Sequence, residues 1–301
     1  MTATMPDRRQ DRGAVERLLK SAARQSYDPD VDLDWDAPEV PGLWSMQPER
    51  MSLYGTDLWD RLSEEQRIEL SKHEVASVAS VGLWFEILLM QLLLKDVYRS
   101  DPTDPRTHFA LTEIADECRH STMFGRAIGH FGVPAYGPRP QVRRLARIFP
   151  LIAHGAGAYA SILIGEEPVD RWQREQMNDE RIQPMIRMVS RIHVLEEARH
   201  VTFAREELEK AVRRMGRAER LVQQAITAQA AFVMMRSLVH PDVYAAVGID
   251  PAEGRRAALG NPHYRATIAW MGEKVMPYLE DQGMVGGAYH RKVWRASFLL
   301  P

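Results

Sequence analysis

One cysteine, Cys118, is all the thiol chemistry this chain carries, which excludes an internal disulfide framework and any cysteine cluster for zinc or iron–sulfur binding. Excess charge of one sign is also missing. The 39 basic and 41 acidic residues leave a net charge of −2, and the basic ones are scattered, so there is no electrostatic footprint for nucleic acid. No apolar run approaches the roughly 20 residues that span a bilayer, and the start, MTATMPDRRQDRG, lacks the apolar stretch of a secretory signal. Strand alternation, repeats, low-complexity tracts and flavin motifs are absent too. These absences predict a soluble, cytoplasmic protein whose partner is a small molecule or another protein rather than a membrane.

What is present is helical patterning. Residues 1–24 begin polar and then read as a short helix. Tyr27 to Trp59 has no sustained period but is rich in Asp, Pro and Trp, and Trp35, Trp44, Tyr54 and Trp59 supply enough aromatic surface for an ordered arm. Ser63 followed by Gln66 is a capping box, and apolar residues then recur at helical spacing to about Tyr98. The turn Ser100 to Pro105 leads into a second helix over about 106–131, ending near Gly132 and Pro134. After a proline- and arginine-rich link come helical stretches over about 141–178, 182–214 and 218–238, and a partly helical remainder. Residues 1–62 are thus expected to form a helix and arm packed on a helical domain over 63–301, one domain overall.

Two Glu-x-x-His elements stand out, Glu117 with His120 and Glu197 with His200. Among 10 histidines about one such spacing arises by chance, so context has to carry the argument. Glu86 lies in an apolar stripe of Val75, Val78, Ala79, Gly82, Met90, Leu93, Leu94 and Val97. Glu197 is flanked at helical spacing by Met185, Ile186, Val189, Val194, Val201, Ala204 and Leu208. A lone carboxylate on such a face is costly, and a metal ion removes the cost. The fourth carboxylate comes from the adjacent pair Glu166 and Glu167. Glu166 shares a face with Tyr159, Ile162, Leu163 and Val169, while Glu167 sides with Asp170 and Arg171, and Pro168 blurs the choice by freeing the carbonyl of Ile164. Glu, Glu-x-x-His, Glu, Glu-x-x-His on successive helices is the inward-facing arrangement of the di-iron and di-manganese carboxylate bundles. The fold class expected is therefore all-α, a ferritin-like four-helix bundle core with additional helices and an N-terminal extended arm.

At this point the chain resembles the p-aminobenzoate N-oxygenase family of ferritin-like, non-haem diiron oxygenases. The resemblance rests on a histidine four residues before the last glutamate, His193 in RIHVLEEARH, and on the segment IQPM, Ile182 to Met185, whose spacing back to the third ligand helix favours Glu166 over Glu167. It covers roughly residues 63–210, with none detected in the arm or the C-terminal third. It implies the ligand set Glu86, Glu117, His120, Glu166, His193, Glu197 and His200, for two iron ions cycling between Fe2+ and Fe3+, with manganese as the other candidate. By analogy with bundles of this kind, Asp116 would hold His200 and Glu196 would hold His120. Cys118 points away from the Glu117 and His120 face and reads as a small apolar side chain.

The resemblance implies O2-dependent oxygenation of a small organic metabolite, either hydroxylation of a C–H bond or N-oxygenation of an amine. The alternative on the same core is iron storage or peroxide detoxification, and a metal-free helical scaffold is the third class. The long arm and C-terminal third favour a substrate pocket over storage. Reducing equivalents would come from a separate electron donor or reductase, and a homodimer is compatible with the pattern.

Overall fold

The computed structural model describes residues 8–301; the polar start, residues 1–7, lies outside it. Among the described residues there are fourteen α-helices, two short 3-10 helices and no strand. The first is α1 (Arg8–Arg24), followed by an arm holding the short α2 (Pro29–Asp32) and α3 (Asp57–Asp60). The core helices are α4 (Glu64–Val97) and α5 (Pro105–His130), then, after α6 (Pro140–Ala146) and α7 (Phe149–Ile152), α8 (Gly155–Gln176) and α9 (Pro184–Arg214). The C-terminal third adds α10 (Arg217–Met235), α11 (Pro251–Gly260), α12 (Pro262–Met271), α13 (Val275–Asp281) and α14 (Ala288–Ser297).

α4 starts where its capping box predicts. Ser63 Oγ accepts from the Gln66 amide at 3.2 Å and Gln66 Oε1 accepts from the Ser63 amide at 3.0 Å, which satisfies two donors that the first turn leaves open. α5 begins on Asp104 as N-cap, with Pro105 where a missing N–H costs nothing. α4 pairs with α5 and α8 with α9, and contacts of α5 with α9 and α4 with α8 close a four-helix bundle. α1 lies across α5 and α9, while α10 covers α8 and packs on α14.

Three expectations are corrected. The helix expected over 141–178 is three pieces, because Pro150 lacks an amide to donate, His154 is extended, and Gly155 turns with φ +51°. Leu94, placed in the core stripe, is 48% exposed and faces outward. By length and composition α4 is also apolar enough to cross a membrane, contrary to the reading that no run approaches that length. Its apolar surface is largely buried here against the rest of the bundle.

The arm is sewn onto the α8–α9 connection. The Trp44 amide donates to the Arg181 carbonyl at 2.9 Å, and the Gln183 amide donates back to the Trp44 carbonyl at 2.8 Å. The Gln183 side chain bonds both the amide and the carbonyl of Val40. Trp44 stacks on Trp59, and Trp172 Nε1 of α8 donates to Gln47 of the arm at 3.0 Å. These contacts explain why the short IQPM segment carries a polar residue that is nevertheless buried.

Candidate metal centre

All seven residues expected at the centre of the bundle meet there, each no more than 2% exposed. Glu86 comes from α4, Glu117 and His120 from α5, Glu166 from α8, and His193, Glu197 and His200 from α9. Glu117 and Glu197 lie between two imidazoles. Glu117 Oε2 is 3.0 Å from His120 Nδ1 and its Oε1 is 2.9 Å from His200 Nδ1. Glu197 Oε1 is 3.3 Å and 3.0 Å from the same two nitrogens. His193 Nε2 is 3.6 Å from Glu86 Oε1 and 3.7 Å from Glu197 Oε1. Three sets each bring three donor atoms within 4.8 Å of one another: His120, His193 and Glu197; Glu86, Glu166 and His193, which shares His193 with the first; and Glu113, Glu117 and His200.

The adjacent-glutamate question is answered by position. Glu166 faces the cluster, whereas Glu167 is held by the Arg205 guanidinium through both oxygens, at 2.8 and 2.5 Å. Their side chains are 100° apart around the helix, so only one of the two can point inward.

The outer nitrogens of the imidazoles are fixed as the analogy implies. His120 Nε2–H donates to Glu196 at 2.8 Å and His200 Nε2–H donates to Asp116 at 3.1 Å, so each Nδ1 is left facing the cluster. Arg199 lies between the two holding carboxylates, 3.5 Å from Asp116 and 3.7 Å from Glu196. Arg119 pairs with Asp116, and the backbone amide of Tyr27, from the arm, donates to Glu196 at 3.0 Å. His193 is oriented differently: its Nδ1–H donates to Gln173 Oε1 at 2.6 Å, leaving Nε2 without a hydrogen-bond partner.

The electrostatics describe a site short of cations. Burial, reinforced by the neighbouring carboxylates, pushes Glu86 and Glu166 well above the usual carboxylate range. Glu197 is held well below it despite its burial, chiefly by the charge of His200 and hydrogen bonds from His120 and His200, and Glu117 is lowered in the same way. Burial disfavours charge on His120 and His200, but the surrounding carboxylates outweigh it and raise both well above the ordinary imidazole value. His193, which burial pushes down to about 4, stays neutral and keeps a lone pair at Nε2.

Four participants were not picked out from sequence. Glu113 is buried one turn before Glu117 with neither oxygen hydrogen-bonded, and its i, i−4 spacing was the available signal. Gln173 and Arg199 hold ligand-side groups across helices, and nothing local marks them. The same is true of the Tyr27 amide. Cys118 is exposed, with its sulfur 3.5 Å from Met90 Sδ, and takes no part in the cluster.

Comparison with known proteins decides the family. The family described as p-aminobenzoate N-oxygenase AurF matches residues 8–283. The chain belongs to this family. Membership reaches well past residues 63–210, where the resemblance was first seen, and takes in the arm and most of the C-terminal third. Both segments also make contacts with the bundle and its α8–α9 connection. Uncharacterized proteins of Mycobacterium tuberculosis (strain ATCC 25618 / H37Rv) and Mycobacterium bovis are 32% identical over 212 residues, 67% of this chain and 62% of theirs. The match thus spans less than two thirds of the length of these relatives.

Proposed function

We propose that this family member is a non-haem diiron oxygenase that uses O2 to oxygenate a small organic metabolite, with Glu86, Glu117, His120, Glu166, His193, Glu197 and His200 holding two iron ions. One observation carries the reading. Ligand-type atoms on four helices converge in a buried space where Glu86 Oε2, Glu166 Oε1, Glu197 Oε2 and His193 Nε2 have no hydrogen-bond partner. Buried polar atoms left unpaired in this number are unusual, and cations are the partners that satisfy several carboxylates at once. The mixed carboxylate and imidazole donors suit iron, with manganese as the competitor of similar preference.

Bound iron would supply the redox chemistry that divides O2 between substrate and water. The residues of the chain supply the rest. Asp116 and Glu196 fix the tautomers of His200 and His120, Arg199 ties those two carboxylates together, and Gln173 aims His193. Glu113 adds a further carboxylate within reach of Glu117 and His200. A cavity of about 70 Å³ beside Glu86, Glu166 and His193, walled by Phe85, Phe124 and Val189, keeps bulk water from the reacting end of a substrate. Electrons come from a separate donor or reductase, because no cysteine cluster or flavin motif is present, and the working compartment in this reading is the cytoplasm.

Protein reconstituted anaerobically with ferrous ion should hold close to two irons per chain and, on exposure to O2 with an electron donor, convert members of an amine and hydrocarbon panel to oxygenated products. Glu166→Ala should drop iron below one equivalent, whereas Glu167→Ala should leave it near two. One metal or fewer in the native protein sinks the diiron reading. Oxidation of many irons per chain to a mineral, with no organic product, would establish storage instead.

A further inference from the structure

Two cavities adjoin beside α4 and α8. The inner one touches Glu86, Glu166 and His193. The outer one, about 440 Å³, runs between α4, α8 and α10 and is edged by Tyr289, which is 74% exposed at the surface. Val81, Phe85 and Met234 line both, so they form the partition. Phe85 is its centre. The ring lies against Gly165 so closely that a Cβ there would sit 1.9 Å from ring Cζ, which only glycine permits. Phe85 immediately precedes Glu86 and Gly165 immediately precedes Glu166, so the partition is built into the same helical turns that present two of the carboxylates.

No lysine or arginine lines either cavity. The inner polar groups are the site carboxylates and imidazole with Gln173, Gln176 and Ser190. The outer ones are Ser161, Gln229, Tyr289 and His290, whose Nδ1 is buried without a hydrogen-bond partner. A carboxylate entering the outer cavity would lose its hydration and meet no fixed cation along its walls. The molecule in the family's description carries such a group; these walls are not built for one.

We propose that Phe85 gates passage from the outer cavity to the metal centre, and that the cavity accepts an uncharged, largely apolar molecule. The size and apolar lining are those of a small-molecule pocket. Swinging the Phe85 ring about its side-chain torsions joins the two spaces without moving the backbone that carries Glu86. What happens to the bound molecule rests on the oxygenase reading above; its binding does not.

The test uses the full chain and the neutral fluorescent amine 1-aminoanthracene. With metal-free protein, bound probe should be displaced by 1-decanol at a concentration at least about tenfold below that needed with decanoate at pH 8. Ala225→Phe, which fills the outer cavity away from the metal residues, should weaken probe binding at least about tenfold while iron content stays that of the native chain. In protein loaded with ferrous ion under nitrogen, quenching of the probe reports its approach to the metal. Phe85→Ala should increase the quenching severalfold and Phe85→Trp should abolish it with probe affinity changed less than about twofold; Phe85→Leu serves if either is misfolded. Equal displacement by decanoate, or undiminished probe binding in Ala225→Phe, overturns the substrate class. Quenching unaffected by Phe85 substitutions overturns the gate. Failure of every form to bind iron would reject the oxygenase reading while the displacement results still stand.

Discussion

Loading the metal-free protein with ferrous iron is expected to raise its thermal midpoint by about 13 °C when iron is about a thousandfold above the dissociation constant of each of two sites. Binding to the folded state alone contributes about 4 kcal/mol per site under that condition, about 8 kcal/mol for two. Unfolding a chain of 301 residues carries an entropy of about 2 cal/mol/K per residue, which converts the energy to that shift. The direction follows from the cluster, where burial and the neighbouring carboxylates hold Glu86 and Glu166 well above the usual carboxylate range, a cost that bound cations would relieve. Glu197→Ala should abolish the rise and leave less than one iron per chain, because Glu197 Oε1 lies within 3.7 Å of all three imidazoles. Calorimetry with metal analysis checks both. A rise of the native size in Glu197→Ala would mean that iron binds elsewhere.

The second large effect concerns His193. Its imidazole is neutral, aimed by Gln173, and offers Nε2 between Glu86 and Glu197, yet six other candidate ligands remain when it is removed. His193→Ala should therefore keep most of its iron and its fold while its absorption spectrum changes and product formation falls below detection. Gln173→Leu should fall about 10- to 100-fold in activity with its iron retained, the usual cost of losing a group that orients a ligand. Unchanged spectrum and product in His193→Ala would make that residue a core histidine. Iron lost from both variants would instead make it structural to the centre.

The core of this molecule is readable from sequence because its signals are local. A capping box, a proline at a first helical turn and a 3.6-residue apolar period each act within a few residues, so the core helices α4, α5 and α9, and α10 beyond them, fall where the pattern puts them. The pairings of Asp116 with His200 and Glu196 with His120 also followed, since each carboxylate sits next to a motif glutamate. What escaped was set by distant neighbours. Gln173 and Arg199 act across helices, and Glu113 has no histidine three residues on to flag it. The Phe85 and Gly165 contact joins residues 80 apart. The break at Phe149 to Gly155 was masked by apolar spacing that continues through Pro150, and α4 reads as membrane-length only when its burial is ignored.

The amide of Tyr27 on Glu196 spans 169 residues of sequence to reach the carboxylate that holds His120. His120 can turn away from a bound ion only if Glu196 lets go of it, and Glu196 is pinned partly by the arm. On the diiron reading the arm would act as a latch, and its undocking rate would set a ceiling on how quickly a chelator strips the metal. The lifetime of the cofactor would then be a property of the arm as much as of the ligands themselves.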